Sequence, residues 1–271
     1  RDDLEFINET LVSGIDSENA LVQQAVCYAL DCLDETFASA QVMAPNMLLK
    51  VLPLLTSENT DLRTSAFKAA NCLSQMLDGD VEGFFPACWE LHEALSTPEN
   101  FESFASIFAS ALSRAEISDE EMDAVIEYVS AFFGEEMDID NAAPVLIIVS
   151  AILLRDEAQA ESLLEPSMEM TGRALESSND QTQINAIEFI ANIFKPFSEA
   201  IMTSYLPIIR TIRAIASEIC DTEGAVPVEV VNEEEEEGEP LEPPSDAEEH
   251  EQQAQEGEEE EDIEEMRETV C

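Results

Sequence analysis

Two stretches decide how this chain folds: IDSENALVQQAVCYALDCL at residues 15–33 and LTSENTDLRTSAFKAANCL at residues 55–73. They align without a gap at an offset of 40 residues, with Ser17-Glu18-Asn19 on Ser57-Glu58-Asn59, Ala29 on Ala69 and Cys32-Leu33 on Cys72-Leu73. A further shift of 120 residues places Leu175, Ser177, Asn179, Ala186 and Ile193 on Leu55, Ser57, Asn59, Ala66 and Leu73. The copies between are weaker: Leu95 and Ile215 hold the first apolar position, Glu135 does not, and Thr97-Pro98-Glu99-Asn100 replaces the Ser-Glu-Asn turn. Self-similarity at this period marks a repeat of paired helices, in which each pair exposes apolar flanks that only neighbouring pairs cover.

Within each copy the pattern reads as helix, polar turn, helix. Val22, Ala25, Val26, Ala29, Leu30 and Leu33 follow helical spacing, as do Leu62, Ala66, Ala69, Ala70, Leu73 and Leu77, and both stripes are expected to face a core. The first helices are expected near 4–15, 45–55, 85–95, 121–133, 160–175 and 200–219, with turns near 16–20, 56–61, 96–100, 135–140 and 176–181. Ser118-Asp119-Glu120-Glu121 before Met122 has the form of a capping box. No segment alternates with a strand's period. The expected fold is all-α, a HEAT-repeat α-solenoid of about five and a half helix pairs over residues 1–223.

After Gly224 the apolar period stops. Residues 224–262 are expected to form an acidic disordered loop with dense runs at Glu233, Glu234, Glu235, Glu236, Glu237 and at Glu258, Glu259, Glu260, Glu261, Asp262. It occupies the slot where the sixth pair should place its second helix. Ile263, Met266 and Val270 then have loose helical spacing, so 263–271 reads as the start of that delayed helix and the acidic run as an insertion rather than a tail.

The charge balance narrows the partners. Sixty-one acidic side chains face eleven basic ones, a formal net charge of −50. Residues 226–271 hold 21 acids and one Arg, which leaves 40 acids and ten bases for the rest, so the body is acidic too. Neutralising phosphates takes clustered Lys and Arg, and the bases here are scattered singly, so nucleic acid is excluded and a basic protein is the natural complement. The longest apolar run, Ala142–Leu154, contains Pro144 and is short of the roughly 20 residues a membrane crossing needs. The N-terminus, RDDLEF, has neither a starting Met nor a signal-sequence pattern, and the chain reads as a fragment of a longer one. Cys27, Cys32, Cys72, Cys88, Cys220 and Cys271 form no C-x-x-C pair and read as reduced thiols, mostly in apolar stripes.

No catalytic arrangement can be sketched. His92 and His250 are a domain's length apart, no phosphate-cradling glycine loop appears, and acidic pairs such as Glu120-Glu121 are expected from composition alone. Neither an enzymatic activity nor a metal or other cofactor is expected. Beside the core stripe of the second helices lie Tyr28, Asp31, Asp34 and Glu35, then Lys68, Asn71 and Gln75, and later Glu188 and Asn192. If those helices line a concave face, these are the candidate cargo surface. Trp89 is the only tryptophan and is expected to pack in the core rather than serve as an exposed anchor.

Three blocks carry a resemblance to a known family: Ala25-Val26-Cys27-Tyr28-Ala29-Leu30-Asp31; Leu164-Glu165-Pro166-Ser167-Met168-Glu169; and Phe189-Ile190-Ala191-Asn192-Ile193-Phe194 followed by Ser204-Tyr205-Leu206-Pro207, with the acidic loop after it. In these, over residues 15–75 and 160–262, the chain resembles the importin-β superfamily of karyopherins, and within it the branch that imports ribosomal proteins and histones. One departure is at the start of the second helix, where the family's hydrophobic-Arg pair stands as Leu62-Arg63 but also as Val22-Gln23. The resemblance implies a nuclear transport receptor moving between cytoplasm and nucleus. Its implied partners are a basic import cargo, the small GTPase Ran in its GTP form and phenylalanine-glycine repeats of the nuclear pore. Two alternatives stay open on the residues alone: a HEAT-repeat scaffold subunit of a protein complex, and a histone-chaperone-like protein that binds through its acidic run.

Overall fold

The computed structural model describes residues 2–33, 38–79, 81–134, 137–156 and 160–222. The acidic loop, residues 263–271 and the candidate residues Asp34 and Glu35 lie outside the described residues. Within them the chain is helical and contains no strand. In order the helices are α1 (Asp2–Ile15), α2 (Ala20–Asp31), α3 (Ala38–Val51), α4 (Thr60–Gln75), α5 (Phe84–Leu95), α6 (Phe101–Arg114), α7 (Asp119–Ser130), the short α8 (Ile139–Ala142), α9 (Val145–Arg155), α10 (Ala160–Leu175), α11 (Asp180–Ser204) and α12 (Leu206–Thr222). Single 3-10 turns at Leu52–Thr56 and Ala131–Phe133 close α3 and α7.

The repeated sequence makes a repeated hydrogen-bond pattern. In each Ser-x-Asn turn the Asn side chain accepts from an N–H two residues on: Leu21 to Asn19 at 3.0 Å, Asp61 to Asn59 at 3.1 Å, Gln181 to Asn179 at 3.0 Å. Each Asn N–H in turn donates to the preceding Ser hydroxyl. Four residues past the cap, a long side chain reaches back to the carbonyls that end the preceding helix. Gln23 donates to Ile15 O at 3.1 Å, Arg63 to Ser57 O at 3.0 Å and Gln183 to Ser177 O at 2.8 Å. Gln23 and Arg63 thus both tie the helix start back to the preceding turn, but to different acceptors, since Ile15 O corresponds to Leu55 O and not to Ser57 O; Gln183 reaches both equivalents, Leu175 O and Ser177 O. The fourth start signal, Ser118 with Glu121, forms the full reciprocal capping box.

The second helices pack side by side, α2 on α4, α4 on α6, α6 on α9 and α9 on α11. Further contacts join α1 to α3, α3 to α5 and α10 to α12. Buried side chains form one continuous core from Ile15 to Ile201. The Ala142–Leu154 run becomes α8 and α9. Helix α9 buries eight of its eleven residues, from Val145 to Leu153, because α6, α7, α10 and α11 all contact it. No helix among the described residues is long and apolar enough to cross a membrane.

Three expectations need correction. The stripe on α4 is buried as read, but on α2 Ala25 and Ala29 are exposed and Val22 is 40% exposed, while Val26, Cys27 and Leu30 carry the burial. Helix α4 lies between α2 and α6, whereas α2 has a second-helix neighbour on one flank only among the described residues. The last first helix starts at Leu206, not 200, since α11 continues past Pro196 through a non-helical Phe197 to Ser204. Cys32 is exposed at the end of α2, unlike the buried Cys27 and Cys88. Burial pushes the Cys27 thiol up to about 11 and Cys88 higher still, which keeps both protonated.

Candidate functional site

Helix periodicity sets which second-helix residues reach solvent. Tyr28 is 67% exposed near the middle of α2, and Asp31 is half-buried at its end. On the adjoining α4, Asn71 is half-buried and Lys68 and Gln75 are exposed. Glu188 and Asn192 are exposed on α11, three helices further along the series α4, α6, α9, α11. The fold thus brings Tyr28, Asp31, Asn71 and Gln75 onto neighbouring helices and leaves Glu188 and Asn192 apart from them.

A groove of about 470 Å³ runs between α4 and α6, lined by Arg63, Phe67, Lys68, Asn71, Glu99 and Glu102 among others. Of the expected candidate residues, Lys68 and Asn71 line it. Glu102 is the residue that sequence reading missed. Partial burial, and then the negative charge of Glu188, hold its carboxyl above the usual carboxylate range. No local pattern signals this, because Glu102 and Glu188 are 86 positions apart and approach only when α6, α9 and α11 stack.

Cations are engaged elsewhere. Arg114 donates to Leu77 O at the end of the preceding second helix, and Arg155 donates to Leu112 O at 2.8 Å and to Ala115 O. Arg173 donates to Met137 O at 3.0 Å. The Arg114 and Arg155 contacts place positive charge at the C-terminal ends of α4 and α6, where the helix dipole is negative, and satisfy carbonyls that a helix end leaves without a partner. The result is a body with one side-chain ion pair among the described residues, Lys50 with Asp16 at 2.7 Å. Charge is also divided by layer. Helices α2, α4, α6, α9 and α11 carry six carboxylates and five cations, whereas α1, α3, α5, α7, α10 and α12 carry sixteen and four. The second helices taken together are therefore close to neutral.

Trp89 packs as expected, half-buried in an aromatic seam between α5 and α7. Its ring stacks on His92 with centroids 4.1 Å apart, and Tyr128 meets His92 edge-on at 4.9 Å. The Tyr128 hydroxyl lies 2.6 Å from Ser96 Oγ. Burial raises the Tyr128 pKa, and the Ser96 bond opposes it. Among the described residues no three His, Cys, Asp or Glu side chains are gathered to hold a metal ion.

The class these features define is an all-helical protein of helices packed against one another, acidic in composition. No protein-family model matches the chain, and no curated protein or solved structure matches it either.

Proposed function

We propose that this chain is a HEAT-type solenoid segment of a nuclear transport receptor that binds a basic protein cargo, and that it carries no enzymatic activity. The observation that supports this reading most directly is the charge arrangement. A body at −30 in which most described arginines bond to backbone carbonyls leaves its carboxylates for cations of a partner. The repeated turns at Asn19, Asn59 and Asn179, with second helices packed in series, support the solenoid. Such an array presents an extended surface suited to a protein partner. Exposed ion pairs contribute about 0.2–1 kcal/mol each and weaken with salt, so the acidic segment at 232–262 steers association while the helical body supplies specificity. The karyopherin resemblance adds transit between cytoplasm and nucleus, with Ran and the pore's phenylalanine-glycine repeats as partners.

The test is release. A histone or ribosomal protein captured by the chain should dissociate when GTP-loaded Ran is added and persist with the GDP form. Binding that ignores the nucleotide state would favour a HEAT scaffold, and binding reproduced by residues 226–271 alone would favour an acidic chaperone.

A further inference from the structure

The two flanks of α4 are identified by what they touch. Cys72 Sγ lies 3.7 Å from Leu33 O, just past the end of α2, so the stripe Leu62, Ser65, Ala69 and Cys72, spaced by three and four residues, faces α2. Thr64, Phe67 and Asn71 line the groove shared with α6 and mark the opposite flank. Carried back by the 40-residue offset, the α2-facing stripe becomes Val22, Ala25, Ala29 and Cys32. Those four side chains lie on the flank of α2 turned away from α4, and all four are exposed. Val22 is 40% exposed where Leu62 is 2%, and Ala29 is exposed where Ala69 is fully buried. Helix α1 shows the same contrast, since Ile7 is 46% exposed and its counterpart Met47 is fully buried. A concavity of about 580 Å³ lies between the two helices, lined by Phe6, Thr10, Ser13, Gly14 and Val22 among others. The stripe on α2 holds no charged residue in a chain at −50, so a basic segment finds nothing to pair with there, and the cover it fits is another apolar helix flank.

We propose that the α1–α2 flank docks one further helix pair of the same repeat type, joined to α1 within the same polypeptide. Its second helix lies on Val22, Ala25, Ala29 and Cys32 as α2 lies on Leu62, Ser65, Ala69 and Cys72. The occupant follows from the joints inside the molecule. Helix α2 packs on α4, α4 on α6, α6 on α9 and α9 on α11, so each joint links a second helix to the next one along the chain, and α2 carries an open half of that contact. A pair is required rather than a lone helix, because Ile7 on α1 and Val22 on α2 are uncovered together. The inference rests on the solenoid reading above and gives the array a direction in which it continues.

Duplicating residues 2–41 ahead of Asp2, with Cys32→Ser in the added copy, extends the full chain by one repeat at the same 40-residue period. In the parent, Cys32 should react with iodoacetamide as an exposed thiol, and Ala29→Glu should leave the unfolding midpoint within about 1 °C. In the extended chain, labelling of the original Cys32, read by peptide mass, should slow at least about tenfold, and Ala29→Glu should lower the midpoint by about 4 °C or more. Ala69→Glu in the parent is the control on register and should cost as much as Ala29→Glu costs in the extended chain. If Ala69→Glu is costly while the original Cys32 stays unprotected or Ala29→Glu stays silent in the extended chain, this docking face is overturned and the solenoid stands. A silent Ala69→Glu refutes the repeat packing itself. Protection of Cys32 in the parent that grows with protein concentration assigns the flank to a second copy and overturns the proposal as well.

Discussion

Along α9, Val145, Leu146, Ile148, Val149, Ser150, Ala151, Ile152 and Leu153 are all buried, and the single charge, Arg155, bonds to the end of its neighbour. Along α7, Met122, Val125 and Val129 are buried and five carboxylates face outward. The two are consecutive long helices, yet α9 buries eight of its eleven residues and α7 three of its twelve. The difference teaches where each property of the molecule resides. Burial is nearly complete along α9, whereas α7 confines it to one stripe and turns its charges to solvent.

If that division holds, substitutions on the two layers should separate cleanly, and the largest effect should come from the core. Phe104 on α6 is fully buried, so Phe104→Ala should lower unfolding free energy by about 3–5 kcal/mol in a urea titration. Asp123→Lys on α7 should stay within about 0.5 kcal/mol of the parent. Comparable losses at the two positions would erase the comparison.

Next come the ties between second helices. Arg155→Met leaves Leu112 O and Ala115 O without that donor and should cost about 1–2 kcal/mol, whereas Lys68→Met, at an exposed cation without an ion pair among the described residues, should be nearly silent. A silent Arg155→Met would show that water replaces the bond.

The caps sharpen the comparison between repeats. Asn19→Ala, Asn59→Ala and Asn179→Ala should each cost about 1 kcal/mol, since each removes an equivalent bond at a helix start. Asn59, which accepts from both Asp61 and Leu62, should be the most sensitive of the three.

The smallest effect is a pH dependence. Asp140 accepts from Ser177 at 2.7 Å and Thr182 at 2.8 Å, and those bonds hold its pKa below the ordinary value. A depressed carboxyl stabilises the fold fully above the unfolded value of about 3.9 and loses that contribution as pH falls through the folded one. The unfolding midpoint of Asp140→Asn should lie slightly below the parent's at pH 7, and the gap should close in acid below about pH 4. A gap that widens in acid would refute the assignment.

The sequence by itself determined the helical class, the register of the repeat and the turns. Those depend on neighbours in the chain: Ser17-Glu18-Asn19 caps its own helix wherever it stands, and Ser118 with Glu121 does the same. Alternation of apolar and polar positions likewise predicted the buried faces of α4. Only the tertiary structure decided that Ala29 stays exposed where its counterpart Ala69 is buried, because burial depends on how many flanks a helix has covered. It also decided that Glu102 meets the field of Glu188 and that Trp89, His92 and Tyr128 share one seam. Glu102 and Glu188, like Trp89 and Tyr128, are tens of positions apart. Charge and contact between them are set by helix stacking, which no local pattern in the chain encodes.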